Sequence, residues 1–181
     1  MQVFISLQEL QLHNIDFDVN IPAGEIDYDF GIAQTSVLRS KGTARLLKHS
    51  LGEIRVAGKL SVTVDGSCDR CLKPAPLCID KDFDLVYMPS EQADRAEAQE
   101  VDAAAIEVGY YEGNGLALND ILREVVLLAL PMRLICSETC KGICPVCGQD
   151  KNLRECNCTT GVPDERWQAL EAFRSTIGHR H

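Results

Sequence analysis

Between Asn14 and Phe30 the chain alternates: Ile15, Phe17, Val19 and Ile21 against Asn14, Asp16, Asp18 and Asn20, then PAGE, then Ile26, Tyr28 and Phe30 against Asp27 and Asp29. Successive strand side chains point to opposite faces, so this spacing predicts a β-hairpin with one wet face. From Glu53 to Asp65 the pattern is longer. Ile54, Val56, Leu60, Val62 and Val64 face one way and Arg55, Lys59, Ser61 and Thr63 the other. Gly58 falls on the apolar side, which predicts a bulge or bend there. Leu77, Ile79, Phe83, Leu85 and Tyr87 alternate with Asp80, Asp82 and Asp84 and make a partner strand. The intervening GSCDRCLKPAP then places Cys68 and Cys71 at a hairpin tip. Glu91 to Asp102 carries five acids and one arginine and reads as an exposed helix or loop without chemistry, and 105–111 reads as one more strand before the turn EGNG.

The period then lengthens to about 3.6 residues. Leu118, Ile121, Leu122, Val125, Val126, Leu128 and Ala129 form a broad apolar face, Asn119 or Asp120 can cap its start, and Pro131 ends it, which predicts a core helix over 118–130. A second, short helix is expected from Pro163, with Asp164 and Glu165 in its first turn and Trp167, Leu170 and Phe173 on one face as packing anchors. The expected fold is α+β. An antiparallel β-rich body, curved or barrel-like, occupies 1–133 with its one core helix, and a Cys-rich zinc-binding C-terminal tail with a short terminal helix occupies 134–181.

At 181 residues and 45% hydrophobic content, the chain is large enough to bury a core without disulfide staples. Its start, MQVFISLQELQLHN, shows neither a basic leader region nor an unbroken apolar run, and no stretch reaches membrane-spanning length. The expectation is a cytoplasmic protein with no membrane partner. Thiols stay reduced in that compartment, so nine clustered cysteines favour metal ligation or redox chemistry over a disulfide framework. The formal charge of −9 opposes wholesale wrapping of nucleic acid. One basic neighbourhood stands apart: Arg39, Lys41, Arg45, Lys48 and His49 lie between Phe30 and Leu51 with no acid among them. It reads as a solvated face, or as a local RNA contact through Arg39, Lys41, Arg45 and Lys48.

The segment LICSETCKGICPVCGQDKNLRECNC contains six of the nine cysteines. In Cys144-Pro145-Val146-Cys147-Gly148 a tight turn brings two thiolates to one ion, Pro145 stiffens the loop, and Gly148 supplies the backbone freedom that the turn needs. Cys156 and Cys158 return after a polar excursion and complete a first site. Cys68, Cys71, Cys136 and Cys140 can share a second ion, and Cys78 is left as a spare thiol on the polar side of its strand. The tail also admits a single site built from Cys140, Cys144, Cys147 and one of Cys156 or Cys158. His13, His49, His179 and His181 are remote from these clusters. Four thiolates leave no open position for water, which suits structural zinc, one or two ions, and disfavours hydrolysis. Cysteine counting alone leaves iron–sulfur ligation open. A redox pair at Cys68 and Cys71 is the main rival, although Pro74 and Pro76 oppose the helix that a thioredoxin-like motif requires. Without metal, 140–161 holds only Ile143, Val146 and Leu153 as bulky apolar groups, too few to offset chain entropy.

Four blocks in order, VTVDGSCDRCLKP, REVVLLALP, CSETCKGICPVCGQDKNLRECNC and PDERWQAL, resemble the YceD family, the large ribosomal RNA subunit accumulation proteins, over about Ile54 to Phe173. The resemblance implies a non-enzymatic role in large-subunit ribosomal RNA accumulation, and so in ribosome assembly or RNA stability, with no catalytic residues to carry over. Short-tailed members lack the CPVCG block and place a histidine where Cys136 stands. That pattern suits Cys68, Cys71, Cys136 and Cys140 as one unit and the later four as an added one. The partner expected is a ribosomal protein, an assembly factor or a pre-ribosomal particle. An acidic surface steers cationic ribosomal proteins at long range. Arg70, Lys73, Lys141, Lys151 and Arg154, beside the cysteines, are further candidates for direct RNA contact.

Overall fold

The computed structural model describes residues 3–29, 31–48, 52–92 and 107–158. They fall into two units, Met1–Cys68 with Lys73–Cys136 and Asp69–Leu72 with Ser137–His181. The first unit is built on an open six-stranded sheet. Its path runs β2 (Ile15–Ile21), β4 (Leu38–Leu46), β5 (Ile54–Ser67), β6 (Pro74–Pro89) and β7 (Glu107–Tyr111), with the short β3 (Ala33–Gln34) also on β5. All pairs are antiparallel except β6 with β7, so the sheet is mixed. β2 and β7 end the path and the sheet does not close, which corrects the expectation of a barrel.

The β5–β6 hairpin keeps one register from Ile54↔Tyr87 to Ser67↔Pro74. Pro74 and Pro76 are tolerated because no described strand is a second neighbour of β6 there; β7 pairs only with Leu85–Pro89. Gly58 causes no bulge, contrary to the sequence expectation. One row across the sheet reads Phe17, Gly42, Gly58, Phe83, and the two phenylalanine rings fold over the glycine pair. A Cβ on Gly58 would lie 2.6 Å from the Lys41 carbonyl oxygen and 3.1 Å from the Phe83 ring. The glycines therefore make room for aromatics from neighbouring strands.

The hairpin expected over 14–30 does not form. β2 pairs with β4, from Ile15↔Ala44 to Ile21↔Leu38. The segment after PAGE turns instead: Asp27 Oδ1 accepts from the Asp29 N–H at 3.0 Å, Asp29 takes φ 55°, and Arg123 donates to the Asp27 carbonyl and to the Asp29 carboxylate. Ile26 and Tyr28 are buried nonetheless. Alternation reported which residues face the core and could not report which strand they pair with.

The apolar side of the sheet is covered by α2 (Leu118–Ala129), by the ribbon of β1 (Phe4–Ser6) with β8 (Gly115–Ala117), and by the single turn α1 (Leu7–Leu10). α2 buries Leu118, Ile121, Leu122, Val125 and Val126 and ends one residue before Leu130, whose extended backbone leads into Pro131. Its N-cap is Ala117, which makes no side-chain cap, rather than Asn119 or Asp120; the Leu118 N–H is instead taken by the Val3 carbonyl at 2.9 Å. The short helix expected from Pro163 and the segment 93–106 lie outside the described residues, as do Phe30, His49, His179 and His181.

The opposite sheet face is polar and lined with ion pairs. Lys41 reaches Asp18 at 3.4 Å, Lys59 reaches Asp82 at 3.0 Å, and Arg55 binds Asp84. Arg39, Lys41 and Arg45 are exposed on this face, beside the acids of β2. Exposed pairs of this kind contribute little stability.

Candidate metal centres

The chain around each CxxC folds as a tight turn closed by a left-handed residue one position beyond the second cysteine. After Cys144 and Cys147 that residue is Gly148, φ 72°; after Cys68 and Cys71 it is Leu72, φ 61°. Glycine adopts this conformation without penalty and leucine does not, so only the later turn's left-handed closure was legible from its sequence. In the later turn the Gly148 N–H donates to the Cys144 carbonyl at 2.8 Å and the Cys144 N–H to the Gln149 carbonyl at 2.8 Å. In the earlier one the Cys68 N–H donates to the Lys73 carbonyl at 2.8 Å.

Within the second unit, Asp69–Leu72 lies against the start of the tail. The Arg70 guanidinium donates to the carbonyls of Glu138 at 3.2 Å and Cys140 at 2.9 Å, and the Arg70 carbonyl accepts from the Ile143 N–H at 2.9 Å. Gly142, φ 73°, permits that approach, since a Cβ there would sit 2.8 Å from the Arg70 oxygen. Asn152 fixes the same loop, accepting from the Lys141 N–H at 2.7 Å and donating to the Cys140 sulfur at 3.4 Å. Arg70 figured in the sequence reading only as an RNA contact; Gly142 and Asn152 did not figure at all. No local spacing marks them, because each acts on a segment brought near by folding.

The sulfurs of Cys68, Cys71, Cys136 and Cys140 lie within 4.8 Å of one another, and so do those of Cys144, Cys147, Cys156 and Cys158. Cys140 joins the first group, not a single site with Cys144 and Cys147. Cys78 is exposed on the polar sheet face opposite Thr63 and belongs to neither group. Cys68, Cys71, Cys140 and Cys144 are buried, Cys136 and Cys147 exposed, and Cys156 and Cys158 half-buried. Zn–S bonds of about 2.3 Å imply tetrahedral S···S edges of about 3.8 Å, so each group matches the size and donor set of a four-thiolate ion site.

The electrostatics of the later group fit the same chemistry. The backbone N–H groups of Cys147 and then Val146 donate to the Cys144 sulfur and bring its pKa down to about 6. Cys156 and Cys158 resist ionisation. Cys158 is pushed up to about 12, first by its hydrogen bond with Cys147 and then by burial. Cys156 receives the Cys158 N–H, which pulls it down, yet is raised on balance by its bond with Cys144, burial and Cys147. Cys144 thus gives up its proton readily while Cys156 and Cys158 hold theirs through hydrogen bonds to neighbouring sulfurs and burial, a cost that a divalent cation among them removes. His13 is exposed, bonds Glu9 and belongs to neither group.

Among the described residues, no helix is long and apolar enough to cross a membrane. No curated protein and no solved structure matches the chain. A family model described as "Large ribosomal RNA subunit accumulation protein YceD" matches residues 56–174, well over half the chain, from the β5–β6 hairpin through both cysteine groups. The chain therefore belongs to the YceD family.

Proposed function

We propose that this protein is a non-enzymatic cytoplasmic factor in large-subunit ribosome assembly that promotes accumulation of the large-subunit ribosomal RNA and uses zinc only to hold shape. The observation that carries this reading is the family match over 56–174. Cys68, Cys71, Cys136 and Cys140 hold one zinc ion and Cys144, Cys147, Cys156 and Cys158 a second. Two features support the assignment: an all-sulfur donor set suits structural zinc, and four thiolates leave no position for a reacting water. The partner is a ribosomal protein, another assembly factor or a pre-ribosomal particle, and the net charge of −9 favours a cationic protein. Any direct RNA contact falls to Arg39, Lys41, Arg45 and Lys48 on β4 and the loop that follows it.

A thiol redox role for Cys68 and Cys71 has less support. A strand beginning at Pro74 follows the turn, where a thioredoxin-like pair would stand at the start of a helix. Sedimentation of cell extract at low salt tests the main reading. The protein should travel with large-subunit precursors, and its depletion should lower mature large-subunit RNA relative to small-subunit RNA. Absence from every ribosomal fraction, with RNA levels unchanged on depletion, would count decisively against it.

A further inference from the structure

A cleft of about 360 Å³ lies in the first unit, at the start of α2 and beside the β1–β8 ribbon. Its aromatic lining comes from Phe4, Tyr87, Tyr110 and Tyr111. Tyr87 and Tyr111 are buried and their hydroxyls are committed, Tyr87 to the Glu124 carboxylate at 2.7 Å and Tyr111 to the Gly52 carbonyl at 2.6 Å. Those bonds fix both rings in place. Phe4 and Tyr110 remain 54% and 50% exposed. Rings that large are seldom left half in water without a use when they share a concave wall.

The polar lining has one sign. Glu112, Asp120 and Glu124 contribute carboxylates, and among the described residues no lysine or arginine lines the cleft. Asp120 and Glu124 are one turn apart on α2 and so share a face. The basic side chain of α2, Arg123, is occupied elsewhere, on Asp27 and Asp29. Aromatic faces beside uncompensated carboxylates are complementary to a flat cation, which stacks on the rings while donating to the acids. Guanidinium meets both requirements; ammonium lacks the plane, and phosphate is repelled.

We propose that this cleft receives an arginine side chain from a basic protein segment. The inference rests on the assembly-factor reading and specifies the chemistry by which the factor would hold its partner. The phosphate backbone of RNA carries the wrong charge for the site, so the occupant is a protein.

The test uses the full-length protein and a fluorescein-labelled twelve-residue peptide of alternating arginine and glycine, titrated at 150 mM salt. Glu112→Gln and Glu124→Gln should each weaken binding roughly tenfold, the scale of one charge-assisted hydrogen bond. Tyr110→Ala should weaken it about two- to fivefold. Asp80→Asn removes the same charge from the polar sheet face and should change affinity less than about twofold. Glu112 and Tyr110 are exposed, so their variants keep the fold even if Glu124→Gln disturbs Tyr87. Equal losses from Asp80→Asn and the cleft variants would overturn the proposal, as would displacement of the peptide by an oligoribonucleotide from large-subunit RNA that itself needs Glu112 and Tyr110. If only this inference fails, wild-type protein still travels with large-subunit precursors. If the assembly reading fails instead, peptide binding survives while ribosomal association does not.

Discussion

Gly142 and Gly148 have nearly the same backbone conformation, φ 73° and 72°, but different surroundings. A Cβ on Gly148 would meet nothing within 4 Å, whereas one on Gly142 would sit 2.8 Å from the Arg70 carbonyl oxygen and 3.3 Å from its Cβ. Gly148→Ala therefore measures the left-handed backbone cost alone, about 1–2 kcal/mol. Gly142→Ala adds a clash with backbone that cannot swing aside, on the order of 1–3 kcal/mol more. With zinc held as proposed, metal binding and folding of the tail are linked, so these energies should appear as lost zinc affinity. At about 1.4 kcal/mol per decade, Gly148→Ala should lose roughly 5- to 30-fold and Gly142→Ala roughly 30-fold to several thousandfold. Competition with a chromophoric chelator reads the affinity, and hydrogen exchange over 137–158 reads local opening without reference to metal. Equal effects from the two variants, or a milder one at Gly142, would refute the claim that close approach to Arg70 shapes this loop.

Two further outcomes are expected. Purified wild-type protein should contain two zinc ions per chain by elemental analysis; Cys136→Ser and Cys144→Ser should each lose about one ion, and Cys78→Ser none, whereas a metal-free, fully ordered tail would contradict the assignment. Burial raises the Tyr28 pKa to about 12, above the ordinary value of 10.0, and its hydroxyl bonds Gln34 Oε1 at 3.1 Å. The folded state therefore holds this proton more tightly than the unfolded state does: the associated stability is complete below pH 10 and is lost as pH rises toward 12. Tyr28→Phe should flatten that alkaline limb at a cost of about 1 kcal/mol at neutral pH, read by denaturant titration across pH, and an unchanged limb would show that another group controls it.

The sequence by itself determined what is local. The β5–β6 hairpin was legible because a two-residue period over Ile54–Val64 and Leu77–Tyr87, interrupted at Gly58 and Lys81, leaves one way to bury both apolar faces, and α2 because its apolar stripe has helical period. The cysteine pairs were legible because each lies within a few residues and needs only a turn to aim two sulfurs together. Tertiary structure decided everything that depends on a distant partner. β2 chose β4 rather than the residues after PAGE, β7 joined β6 in parallel and left the sheet open, and Gly58 proved to be the seat of the Phe83 ring rather than a bulge. Asn152, Gly142 and the aromatic cleft belong to the same class. Periodicity records which side of an element faces the core, but a pairing or a close approach is settled by the energies of segments far apart in the chain, and no window along the sequence contains both.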